Sequence, residues 1–231
     1  MTESWADGLR GLIGENRWAR ERLAGLTDDE LDLYTRILQC LAAGKPPPPA
    51  QLESSASGLG RLVTRDLIQL DAAGDVAVAY PFSARPTRHR VRLADGRRYW
   101  ANCAIDALGV PYMLRAPGVV EAREPDGEQA ITVAVEPDTG TLRCDPPGAT
   151  VVVAASGNGC VAACACPHIN AFGSRGAAER YLAASGLRGT ILDVPAAAAA
   201  GRALFGDLND LLTAQPGRRV PDTARAGPRG G

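Results

Sequence analysis

Cys103 and Asp106 lie three residues apart in Tyr99-Trp100-Ala101-Asn102-Cys103-Ala104-Ile105-Asp106-Ala107-Leu108-Gly109-Val110-Pro111, an otherwise mostly apolar run. If the run is helical, that spacing puts thiol and carboxylate on one face, within reach of a common ligand. A carboxylate among Ala, Ile, Leu and Val is costly unless it has a partner or a task. Loss of water raises its pKa and makes it a candidate proton carrier near neutral pH.

A second thiol-rich stretch lies some sixty residues downstream, Cys160-Val161-Ala162-Ala163-Cys164-Ala165-Cys166-Pro167-His168. Its C-x3-C-x-C-x-H pattern admits three readings. Structural zinc would use all four groups, although such sites favour C-x2-4-C pairs. A redox dithiol would favour C-x-x-C. In the third reading one of these thiols completes a site with Cys103 around a soft metal. On a strand Cys164 and Cys166 would share a face, and local geometry would choose between them. Cys40, on a helix, reads as a small core hydrophobe, and Cys144 as part of a turn before a strand. His168 could tune a neighbouring thiol or be held structurally by hydrogen bonds. His89 is the other histidine, and Arg88, Arg90, Arg92, Arg97 and Arg98 read as a solvated strand face.

The elements that must position these residues follow from periodicity and punctuation. Leu9 to Ala24 has helical spacing. Thr27 and Glu30 form a capping box ahead of a helix whose apolar face is Leu31, Leu33, Tyr34, Ile37, Leu38 and Leu41, with Gly44 at its end. Pro46 to Pro49 break the chain, residues 50–56 suit a short helix, and Gly58 to Ala73 read as another. Strands are expected at Asp75–Tyr80, His89–Leu93, Val119–Ala122, Ile131–Val135, Ala149–Ala155 and Gly189–Val194. Ser174 caps a helix through Leu182, and Pro195 to Leu212 reads as a last helix. The fold class is therefore α+β: a helical, winged-helix-like subdomain over residues 1–80, then a mixed, mainly antiparallel sheet core with flanking helices over 81–215. Residues 216–231, rich in Pro, Gly and Arg, have little to bury and read as a disordered tail.

Composition excludes several functions. The formal charge of the 231-residue chain is -1. Residues 1–80 carry eight Lys+Arg against twelve Asp+Glu. That balance opposes DNA binding, which needs a basic face for phosphate. No signal peptide and no membrane-length apolar run are visible, so a cytoplasmic protein with reduced thiols is expected. The six cysteines then read as buried, metal-binding or catalytic before they read as disulfides.

At these residues the chain resembles the organomercurial lyase (alkylmercury lyase, MerB) family. A family segment of the type W-C-A-L-D-T-L is matched by Asn102-Cys103-Ala104-Ile105-Asp106-Ala107-Leu108, followed by Pro111. A second, of the type C-C-H-V-H-F-F-A-S, is matched by Cys166-Pro167-His168-Ile169-Asn170-Ala171-Phe172-Gly173-Ser174, a register that selects Cys166 over Cys160 and Cys164. Ile37 to Pro49 and Arg88 to Tyr99 extend the likeness. The chain departs from the pattern at Asn102, Pro167, Asn170 and Ala171, and at Val120–Arg123, where a family cysteine has no counterpart. The resemblance implies a MerB-like fold and a mercury-detoxifying lyase with catalytic Cys103, Asp106 and Cys166. Its substrate would be a small organomercurial, R-Hg(II), cleaved by protonolysis to R-H. The product Hg(II) would be left on Cys103 and Cys166 beside Asp106. External cellular thiols or a mercuric reductase would remove it, and no cofactor is implied. A homologue repurposed as a thiol-based enzyme of specialised metabolism, and a soft-metal-binding protein without lyase activity, are the alternatives.

Overall fold

Thr27 and Glu30 cap one another. The Thr27 hydroxyl accepts from the Glu30 N–H at 3.3 Å, and the Glu30 carboxylate accepts from the Thr27 N–H at 2.8 Å. In this computed structural model, which describes residues 22–48, 55–127, 129–156 and 161–213, helix α1 spans Asp28–Ala42 and buries the expected apolar face. The expected helix at Leu9–Ala24 falls almost wholly outside the described residues, as do most of residues 50–56, Cys160 and the tail from 216.

Helix α2, Ala56–Thr64, ends well short of the expected Ala73. Asp66 turns the chain with a left-handed backbone (φ 53) that Asp tolerates better than most residues. Ile68–Leu70 then forms β1, paired antiparallel with β2, Val76–Ala79. Ile68 gains a strand partner there, so tertiary pairing overrides the helical spacing of the apolar residues.

Six further strands complete the first sheet: β3 (Phe82–Ser83), β4 (His89–Leu93), β5 (Arg98–Ala101), β6 (Gly118–Arg123), β7 (Ala130–Glu136) and β8 (Thr141–Asp145). Their order is β1-β2-β3-β5-β4-β6-β7-β8. A smaller sheet has β9 (Thr150–Ala154) between β10 (Asn170–Phe172) and β11 (Gly189–Asp193). The mainly antiparallel sheet core is thus present, divided into two sheets whose described pairings are all antiparallel. Cys144, expected in a turn, belongs to β8 opposite Val133. The chain's first sheet runs through the boundary drawn at residue 80, since β2 pairs with β3 and β3 with β5.

Helix α3, Ala104–Leu114, is apolar around most of its circumference and buried from Ala104 to Met113, as such a helix must be. It packs on β4 and β5 from one side and against helix α6, Val194–Phe205, from the other. Gly109 and Gly201 let the two backbones approach: a Cβ on Gly201 would lie 2.7 Å from Gly109 N and 2.8 Å from Ile105 O. Between β9 and β10 come the short α4 (Val161–Cys164) and a 3-10 turn (Cys166–His168). Helix α5, Arg175–Ser185, starts at its Ser174 cap as expected. The long final helix expected from Pro195 is interrupted by a 3-10 turn at Gly206–Leu208 before α7, Asn209–Thr213. That break lets the buried Asn209 amide donate to the Met113 carbonyl at 2.8 Å, satisfying a carbonyl at the end of α3.

Candidate active site

Strand β5 delivers Cys103 to the start of α3. Cys103 is extended (φ -146°, ψ 178°) and is the N-cap, its Sγ accepting from the Asp106 N–H at 3.4 Å. The Asp106 carboxylate lies close enough to the thiol and backbone N–H of Cys103 for both to favour its charge. C-x-x-D is therefore an N-cap with sulfur in place of the usual hydroxyl, followed by its third helical residue. The spacing expected to align two side chains on a helical face instead joins a cap to the third helical residue, with the same proximity.

Cys166 arrives from the other stretch on the 3-10 turn. The strand geometry considered for Cys164 and Cys166 does not occur. The 3-10 turn buries Cys166, while Cys164 stays half-buried on α4 with its carbonyl accepting from Ser156 N–H at 2.9 Å. The turn is held by the His168 N–H to Ala165 O at 2.8 Å and the Asn170 side-chain amide to Pro167 O at 2.8 Å. The Ala104 N–H donates to Ile169 O at 3.0 Å, stapling the turn to the first residue of α3.

The result brings Cys103, Asp106 and Cys166 together. Their ligand atoms lie within 4.8 Å of one another. All three are buried, at 2%, 4% and 2% exposure. The Cys166 thiol points at Asp106 Oδ2 from 3.9 Å. Two thiolates sharing an ion at metal–sulfur bonds of ~2.3 Å would stand roughly this far apart. Among the described residues, no other group of three or more His, Cys, Asp or Glu side chains is so disposed.

Burial sets the electrostatics. It lifts Asp106 to about 7, against the pull of its hydrogen bonds with Cys103. It also pushes the Cys103 thiol well above its ordinary value, reinforced by the hydrogen bond with Cys166 and the Asp106 charge. For Cys166 the hydrogen bond with Cys103 acts downward, but burial and the Asp106 charge outweigh it. The resting site is thus two neutral thiols beside a carboxyl group that titrates near neutrality. A soft cation can displace the thiol protons, and a base is in place to receive one.

The remaining sequence candidates lie apart. His168 is half-buried, with Nδ1 3.4 Å from the Tyr181 hydroxyl. Cys40 and Cys144 are half-buried on α1 and β8. His89 is buried with neither ring nitrogen hydrogen-bonded, and desolvation lowers it to about 4, so it is neutral. Arg90 and Arg92 both pair with Glu121 across β4 and β6, which makes that strand face an ion-pair cluster in addition to a solvated one. The structure adds Asn102, whose buried Nδ2 has no hydrogen bond of normal geometry but lies close enough to favour the Cys166 thiolate. Its adjacency to Cys103 in sequence was the available signal. Asn170, which holds the Cys166 turn, is marked in the sequence only as a departure from the family pattern, and Asp66, which bonds to Val161, carries no signal there.

Among the described residues, no helix is long and apolar enough to cross a membrane. No curated protein matches the chain. The crystal structure of the mercury-bound form of MerB2 is similar in fold, with a TM-score of 0.70 at 22% identity, covering 84% of this chain and 98% of that one. A family model described as alkylmercury lyase matches residues 82–206, from β3 to the end of α6 and thus across both thiol-bearing segments. With more than half of its length inside that match, the chain belongs to the alkylmercury lyase family.

Proposed function

We propose that the protein cleaves the carbon–mercury bond of R-Hg(II) by protonolysis, releasing R-H and Hg(II). The observation that carries this reading is the sealed triad of two thiols and one carboxyl group within 4.8 Å. The substrate is taken as an adduct with a small cellular thiol, R-Hg-SR′. The first cysteine to bond exchanges with R′S, and its proton leaves with the carrier as R′SH. The second cysteine bonds to mercury and passes its proton to Asp106. Two sulfur donors raise electron density on the metal and weaken the bond to carbon. Asp106 then protonates the carbon, R-H departs, and Hg(II) stays between Cys103 and Cys166. Protons, charges and bonds balance without a redox cofactor. A cellular thiol or a mercuric reductase collects the ion, which suits work in a reduced cytoplasm.

A carboxyl group that titrates near neutrality can both accept a proton from a mercury-activated thiol and return it to carbon. Incubation of the reduced chain with methylmercury or phenylmercury and excess thiol is expected to release methane or benzene over many turnovers. Asp106→Asn is expected to lower that rate by roughly 10²–10⁴ while still capturing mercury. Capture by the wild-type chain without hydrocarbon release would overturn the lyase reading in favour of a soft-metal-binding protein.

A further inference from the structure

Cys103 and Cys166 are sealed in, so a path to them has to open. The segment leading to Cys166 is held locally by Ser156 N–H to Cys164 O at 2.9 Å and Ala165 N–H to Val161 O at 2.8 Å. One further bond reaches across from the first 80 residues: the Val161 N–H donates to Asp66 Oδ2 at 3.3 Å. The same oxygen pairs with Arg22 Nη2 at 3.2 Å. A single carboxylate thus joins three segments far apart in sequence.

Its placement is fixed from behind. The left-handed turn at Asp66 is held by Asp66 N–H to Val63 O at 2.9 Å and Leu67 N–H to Leu62 O at 3.0 Å. Asp66 Oδ1 is buried without a hydrogen-bond partner, so the hold of this carboxylate on its neighbours runs through Oδ2 alone. The Asp66 charge is also felt at Cys166, where it disfavours the thiolate.

We propose that Asp66 is a positioning residue that clamps the Cys166 segment through Val161, and that release of this bond opens the way to the two sulfurs. The clamp serves the mercury-capturing site proposed above. Its test reads access alone, so it can fail or succeed independently of lyase activity.

The experiment is alkylation of the reduced chain with limiting iodoacetamide, with each cysteine followed by peptide mass spectrometry. Asp66→Gly suits the left-handed backbone and removes the carboxylate. It is expected to speed labelling of Cys166 about tenfold or more while Cys40 keeps its wild-type rate, as local opening requires. Asp66→Asn keeps an oxygen for Val161 and removes the charge, and a clearly smaller gain is expected. Unchanged Cys166 labelling in Asp66→Gly would overturn the clamp. So would an equal gain in Asp66→Asn, because charge alone would then be acting. Should Asp66→Gly speed Cys40 and Cys166 together, the whole fold has loosened and Arg22→Ala decides. A gain confined to Cys166 supports the clamp, and no gain overturns it.

Discussion

Asp106 is a helix-start carboxylate moved into a dry site. In that position it gains the N–H groups and dipole of α3, but loses water, and desolvation wins: its pKa rises from 3.8 to about 7. Across that interval the folded chain binds a proton that the unfolded chain has released. Stability contributed by neutral Asp106 therefore falls as pH rises through the window and is gone above 7. Asp106→Asn is expected to match wild type near pH 4. At pH 8 it should be more stable by about 2–4 kcal/mol in urea unfolding. Equal stabilities at both pH values would refute the raised pKa. Cys103 and Asp106 were readable from spacing because a cap and its third helical residue always lie close. Cys166 was not singled out by spacing among its neighbouring thiols. Only the family register chose it, since a 3-10 turn with a half-buried helix beside it leaves no periodic mark.

The active-site element is α3, and its position depends on a pair of glycines. Gly109 lies three residues after Asp106, where a Cβ would fall 2.4 Å from Phe205 Cδ2 and 2.9 Å from Gly201 O. Gly201→Ala places its new carbon against backbone atoms of α3, which cannot rotate away. The substitution is expected to destabilise by about 1–3 kcal/mol and to lower turnover by shifting Asp106 against Cys166. Thermal melting and hydrocarbon release measure the two effects. Wild-type values for both would show that α6 does not set the position of α3. Most strands were legible from alternation and turn residues, and α1 from its capping box. The shortened α2, β8 and the interrupted last helix were not, because each depends on a distant partner: Ala79 for Ile68, Val133 for Cys144, and Met113 for Asn209.

Across the whole molecule, the two sulfurs belong to segments sixty residues apart, so an ion held between them is a cross-link formed only in the folded chain. Hg(II) is expected to raise the melting temperature of wild type in proportion to ligand excess, as linkage requires, and to do so far less in Cys166→Ala. Equal shifts would place the ion elsewhere. The acidic balance of residues 1–80 was legible and argued against nucleic acid, but what those residues do for the thiol site was not. Among the described residues, hydrogen bonds that tie them to it and to the strand before it include the Val161 N–H to Asp66 Oδ2 and the Tyr99 hydroxyl to Ala42 O at 2.7 Å. Because β1 and β2 are rungs of the same ladder as the strands before Cys103, a cut at residue 80 would split the first sheet. A fragment starting at residue 81 would begin with a raw sheet edge at Phe82–Ser83, an invitation to self-association. The intact chain should therefore melt in one cooperative step, with β1 and β2 lost together with the strands that lead to Cys103.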